Sequence, residues 1–280
     1  KMKKIENMGA NLSILKTILI LTACLFAISC GGSKNGANSS DKKKIKLAAV
    51  SFNIDEVNNK VAIDALKAKG YEVEVIVLED ATTMNEAAMN GEIDASLHQH
   101  KPWMDSYNKS KNREMVMLEP YIHYNPFGMY SAKIKNVSEV PQNAKAVIPQ
   151  DPSNAARALS LLEQQGLITL KKGVELPTLL DIETNPKNIQ FTQVNTAQVM
   201  KSLQDVDFVC VAKIFVISSN INDVIEIATS SDVNQFAVGF VINPANKDAK
   251  WTKDLTDAYT SPEMKAEIAK IFKGGYVTLD

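Results

Sequence analysis

The sequence predicts an α/β protein of two lobes, each a mixed sheet flanked by helices. Three observations point there. Apolar runs such as Ile45–Val50, Val73–Leu78 and Ala144–Ile148 lack the alternation of a strand with a wet face. They read as parallel strands covered on both sides. Helical periods closed by Gly70, Gly91 and Gly166 follow or separate such runs, the order of parallel strand–helix–strand units. The pattern then recurs, with extended crossings near Pro120–Gly128 and Asn234–Phe240 between the blocks. A ligand would lie between lobes that close about a hinge. A single α/β enzyme domain with insertions fits the same pattern.

The start of the chain has its own logic. Lys1, Lys3, Lys4 and Lys16 make a basic opening, and Thr17–Ser29 is a mostly apolar run. That run is shorter than the roughly 20 residues a membrane span needs, but it suits a secretion signal. It ends Ala27-Ile28-Ser29-Cys30 before Gly31, Gly32 and Ser33, and the small residue before Cys30 resembles a bacterial lipobox. Residues 1–29 would be the signal peptide and Cys30 the lipidated mature N-terminus, although Ala27 replaces the usual Leu. An ordinary signal peptide cut elsewhere is the alternative. Loss of residues 1–29 takes the formal charge from −1 to −4. The mature protein would be a mildly acidic member of the cell envelope, held to the inner or outer membrane by its lipid. Residues 30–44 read as a flexible tether of Gly, Ser, Asn and Lys.

The folded part opens with the Ile45–Val50 strand, a helix over Glu56–Lys69 and the Val73–Leu78 strand. A short helix, Thr83–Asn90, leads to Ile93–Trp103, read as strand, loop and helix start. Met115–Ile122 and Phe127–Ser131 read as strands. The second block comprises Ala144–Ile148, a Pro152–Gln165 helix, Ile189–Val194, a Thr196–Leu203 helix and Phe208–Val211. Strands at Val224–Ile227 and Phe236–Ile242 and helices near Trp251–Tyr259 and Pro262–Phe272 complete it. Lobe 1 would comprise 45–125 and 237–280, and lobe 2 126–236.

Composition narrows the function. With 31 basic and 32 acidic side chains, the chain shows no basic stripe for nucleic acid. The cysteines Cys24, Cys30 and Cys210 form neither a disulfide framework nor a structural zinc site. Ile148–Leu162 carries the sharpest signal. A strand ends at Pro149, Asp151 is an N-cap, Pro152 suits the first helical position, and Asn154 and Arg157 share a helix face. Free N–H groups beside a guanidinium suit the carboxylate of a small ligand. A surface Arg157 paired with Glu163 is the plainer alternative. Nearby in sequence, His98, Gln99, His100 and Trp103 converge in one loop.

At this point the chain resembles the NlpA-type methionine-binding lipoproteins, the solute-binding components of methionine ABC importers. The resemblance runs from Ile45 to the C-terminus. It rests on Gly91-Glu92-Ile93-Asp94-Ala95, Gln99-His100-Lys101-Pro102, Gly128-Met129-Tyr130-Ser131, Asp151–Leu159, Asn185-Pro186-Lys187-Asn188 and Ser261-Pro262-Glu263. It implies a type II-like periplasmic-binding-protein fold that encloses one amino acid, no cofactor and no catalysis, and an ABC permease as partner. Arg157 matches the family's carboxylate-binding Arg, and Asn154 is kept. His100 would accept from the ligand amine or satisfy the backbone of the other lobe. Trp103 takes the place of the family's Tyr as an aromatic wall for a thioether.

Departures bear on the ligand. His98 replaces a usual Phe, Ala81 a usual Tyr and Asn125 a usual Glu, while Ala212-Lys213-Ile214 aligns with Asn-Gly-Asn. Ile214 would leave a ligand group without its hydrogen bond, and Ile214→Asn would raise methionine affinity. Three other functions compete. His98, His100 and His123 would suit a zinc-capture lipoprotein, although no acidic cluster accompanies them. A hydrolase built on Cys210 lacks any Gly-x-Ser-x-Gly or metalloprotease motif. A surface lipoprotein that has lost its ligand is the third.

Overall fold

The computed structural model describes residues 42–231 and 234–279. Within them lie two five-stranded sheets, one per lobe, each flanked by helices. The lobe 1 sheet runs in the order Glu72–Val77, Lys44–Ala49, Ala95–Ser96, Val241–Ile242 and Val116–Met117. Its first three strands are parallel, and Val241–Ile242 is antiparallel to both neighbours. The lobe 2 sheet runs Gln190–Val194, Lys145–Pro149, Phe208–Ala212, Phe127–Ser131 and Ile225–Thr229. There too three strands are parallel, and Phe127–Ser131 runs against its neighbours.

The Ile45–Val50 and Ala144–Ile148 runs are buried on both faces, whereas the Val73–Leu78 run forms an edge strand that is only half-buried, with Val77 exposed. Ile45, Leu47 and Ala49 pack with Leu66, Trp251 and Tyr259 on one side of the sheet. Ala48 and Val50 pack with Met84, Ile93 and Met104 on the other. In lobe 2, Ala146 and Ile148 face Leu159 and Leu162, while Val147 faces Val199 and Leu203. This is period-two alternation with two apolar targets. The crossings meet in a third sheet, where His123–Tyr124 pairs with Ala237–Val238 and with the final strand Val277–Thr278. Gly128 is required within its strand because a Cβ there would lie 2.7 Å from the Tyr130 hydroxyl. On the return crossing, a Cβ at Gly239 would lie 2.8 Å from the Leu118 carbonyl oxygen.

Several elements depart from expectation. The helix expected over Glu56–Lys69 is split into Ile54–Val57 and Lys60–Ala68, because the Asn59 side chain accepts from Val61 N–H and caps a new start. The Phe236–Ile242 strand is broken into two, its halves serving different sheets. Of Met115–Ile122 only Val116–Met117 is a strand, and Thr196–Ser202 is a 3-10 helix. A helix at Lys213–Ser218 and a hairpin of Thr169–Leu170 with Ile182–Thr184 were not foreseen. The tether expected to run to residue 44 stops earlier: Lys42 bonds the Asp94 carboxylate and Lys44 opens the first strand. The signal peptide and Cys30 lie outside the described residues. Among the described residues no helix is long and apolar enough to cross a membrane.

Candidate functional site

A cavity of about 320 Å³ lies beyond the carboxyl ends of the parallel strands of both sheets. That is where ligands bind in open α/β sheets, and the size falls in the range of about 300–1,000 Å³ for small-molecule sites. Lobe 1 contributes Val50 and Phe52, Glu79–Thr82, and the His98–His100 loop with Trp103. Lobe 2 contributes Gln150–Asp151, Asn154, Arg157, Asn195–Ala197, Ala212 and Phe215, and Asn125 lines it from the crossing.

Arg157 is 3% exposed, which rules out the surface pairing with Glu163. Glu163 instead accepts from Leu170 N–H at 2.7 Å. Helix geometry holds the guanidinium in place. Asp151 caps the helix by accepting from Asn154 N–H at 3.0 Å, and Thr196 donates to the same carboxylate at 2.7 Å. One turn on, Arg157 donates to the Asn125 carbonyl at 2.9 Å and lies 3.9 Å from the Phe236 ring centre. A cation over an aromatic face is a favourable contact, and it holds the guanidinium at the cavity wall.

His100 caps the Lys101–Lys111 helix, its Nδ1 accepting from Trp103 N–H at 3.2 Å. Nε2 therefore carries the proton and donates to Asn154 Oδ1 at 3.1 Å. The ring thus satisfies its own lobe's backbone and a side chain of the other lobe, a third arrangement beside the two expected ones. Burial, and after it the Arg157 charge, pushes its pKa down to about 4. Burial also lowers His98 to about 3 against a small pull from Asp80, so both imidazoles are neutral at pH 7. His98 stands edge-on to Trp103, with ring centres 6.1 Å apart. Ala81 opens its helix at the cavity, capped by Asp80, which accepts from Thr83 N–H at 2.7 Å.

Two expectations require correction. Ile214 does not line the cavity: it is 2% exposed and joins the core. Its Cδ1 would lie 3.3 Å from a Cβ on Gly275. The helix that begins at Lys213 turns Phe215 toward the site, where it meets Phe52 of lobe 1 edge-on with centres 5.2 Å apart. Lys213 pairs with Glu226 at 3.1 Å. The three histidines also do not act as one site. His123 lies 3.2 Å from Glu56 and stacks on Tyr276 at 4.0 Å. Among the described residues no group of three His, Cys, Asp or Glu could hold a metal ion. Cys210 is fully buried and burial raises its pKa, which withholds the thiolate. Sequence reasoning missed Phe52, Phe215 and Phe236 at the site. Only Phe52 carried a signal, since it directly follows the first parallel strand.

The NlpA lipoprotein family model matches residues 45–279. The chain belongs to the NlpA lipoprotein family. It is 32% identical over 273 residues to the D-methionine-binding lipoprotein MetQ of Escherichia coli K12, covering 94% of this chain and 97% of that one. It is 35% identical over 266 residues to outer membrane lipoprotein 1 of Mannheimia haemolytica, covering 94% and 95%. Among solved structures, the nutrient-binding protein of Burkholderia cenocepacia bound to methionine superposes with a TM-score of 0.76. That match has 34% identity and covers 85% of this chain and all of the other. The NlpA match spans both sheets and each segment that lines the cavity.

Proposed function

We propose that this NlpA-family chain is a lipid-anchored substrate-binding protein that delivers methionine or a related amino acid to an ABC importer. The observation that carries this reading is the buried Arg157 guanidinium, which lines a cavity shared by both lobes. The names of the MetQ and Burkholderia relatives support the ligand class. The ligand docks on one lobe, and the lobes, 45–125 with 237–280 and 126–236, close about the paired crossings. Arg157 grips the carboxylate with two hydrogen bonds, and Trp103 and His98 flank the side chain. The residues around the cavity bind and orient and carry out no reaction, so the protein is not an enzyme. Its partners are the small ligand, the permease and a bacterial envelope membrane reached through the lipid on Cys30.

Mass spectrometry of small molecules released by denaturing the purified protein, followed by calorimetry with the stripped and refolded chain, tests this. An α-amino acid is the expected cargo. Release of none, together with no binding of any α-amino acid, overturns the reading.

A further inference from the structure

The two histidines of the loop differ in one respect. His100 has both ring nitrogens engaged, by Trp103 and Asn154. His98 also lines the cavity, yet both its nitrogens are buried with no hydrogen-bond partner among the described residues. A neutral imidazole offers one N–H donor and one lone pair, and a buried donor left unmet is costly. Rotation about the Cβ–Cγ bond is broad and two-fold for histidine, so either nitrogen can turn to the cavity. Ala81 shares this lining and its single methyl leaves room for a ligand atom. Trp103 stacks on Tyr107 with centres 5.8 Å apart, and so presents a fixed apolar wall for an aliphatic stem.

Taking the amino-acid reading above as its basis, we propose that His98 selects a side chain ending in an uncharged oxygen acceptor, a sulfoxide or a carboxamide, over a bare thioether. The oxygen accepts the imidazole N–H, whereas a thioether sulfur is only a weak acceptor. Two carboxylates in the lining, Glu79 and Asp80, repel an anionic side chain. Both are already engaged, Glu79 by Ser51 N–H at 3.2 Å and Asp80 by Thr83. The oxygen His98 meets is therefore not that of an anion.

Calorimetry on the mature, ligand-stripped chain with L-methionine, L-methionine sulfoxide, L-glutamine, L-norleucine and L-lysine tests this. The sulfoxide or the amide binds roughly tenfold tighter than methionine and norleucine, the worth of one buried hydrogen bond. Whichever of the two leads identifies the group. His98→Phe reverses the order, and His98→Gln, which keeps a donor and an acceptor, preserves it. Methionine or norleucine binding as tightly as the oxygen-bearing ligands, lysine binding first, or an unchanged order in His98→Phe overturns the inference while leaving the amino-acid reading intact. Failure of all five to bind overturns the inference, and the amino-acid reading falls with it only when no α-amino acid is released or bound.

Discussion

On the lobe 2 side of the cavity, Asp151 holds Asn154 and Thr196, Asn154 meets His100, and Arg157 is braced by the Asn125 carbonyl and Phe236. On the lobe 1 side, His98 has no hydrogen-bond partner among the described residues and Ala81 supplies a single methyl. The difference fits the proposed ligand, with its carboxylate on the lobe 2 wall and its side chain on the lobe 1 wall. A carboxylate leaving water needs a counter-charge already in position, since misplacing it in a low dielectric is expensive. A side chain needs volume and one or two polar contacts, which few substitutions can change. Within one cavity, the charged end is preorganised and the other end is open to respecification.

The largest expected effect breaks the preorganised wall. Arg157→Ala should abolish amino-acid binding, and Arg157→Lys should restore it only partly, because a lysine lacks the two-pronged geometry. Near-normal affinity of Arg157→Ala in calorimetry would remove the anchor from the account. Next, Ile214→Asn puts an amide into the core and should cost about 2 kcal/mol or more in chemical denaturation, with no gain in methionine affinity. Tighter methionine binding by that variant would return position 214 to the cavity wall. Asp151→Ala removes an N-cap worth about 1 kcal/mol and releases both Asn154 and Thr196. A lower melting temperature together with weaker binding is expected; a fall in melting temperature alone would separate the cap from the site.

The smallest effect concerns the neutral histidines. Their ordinary pKa of 6.5 falls to about 3 for His98 and about 4 for His100 in the folded chain. As pH drops below 6.5, the unfolded chain takes up protons that the folded chain refuses. Stability is therefore present above that pH and declines through the window toward 4 and 3. His98→Phe should flatten the slope of unfolding free energy against pH within that window. An unchanged slope would mean that His98 is solvated, and the open wall would then be open to water as well.

The same contrast explains what could be read without coordinates. The strand of Ala144–Ile148, the Asp151 cap and the Asn154–Arg157 spacing are local signals, so the anchor was legible. The burial of Arg157 was not, because the Phe236 ring against it comes from the return crossing. The Lys213–Ser218 helix was hidden because Lys-Ile-Phe-Val-Ile reads as a continuation of the apolar Phe208–Val211 run. Neighbouring residues on a helix point about 100° apart, so Ile214 and Phe215 take opposite roles, and hydrophobicity does not distinguish them. Likewise, Gly239 sits inside what reads as one strand, and only the folded chain shows that a Cβ there would meet the Leu118 carbonyl oxygen.

By itself, the sequence determined the α/β class, the order of the main elements and the choice of Arg157 as the candidate anchor, because apolar runs, caps and spacings act within a few residues. Tertiary structure alone decided which side chains face the cavity, that His100 joins the lobes, and that the His98 nitrogens find no hydrogen bond among the described residues. Those outcomes depend on groups brought together from distant parts of the chain, whose meeting is set by the packing of whole sheets.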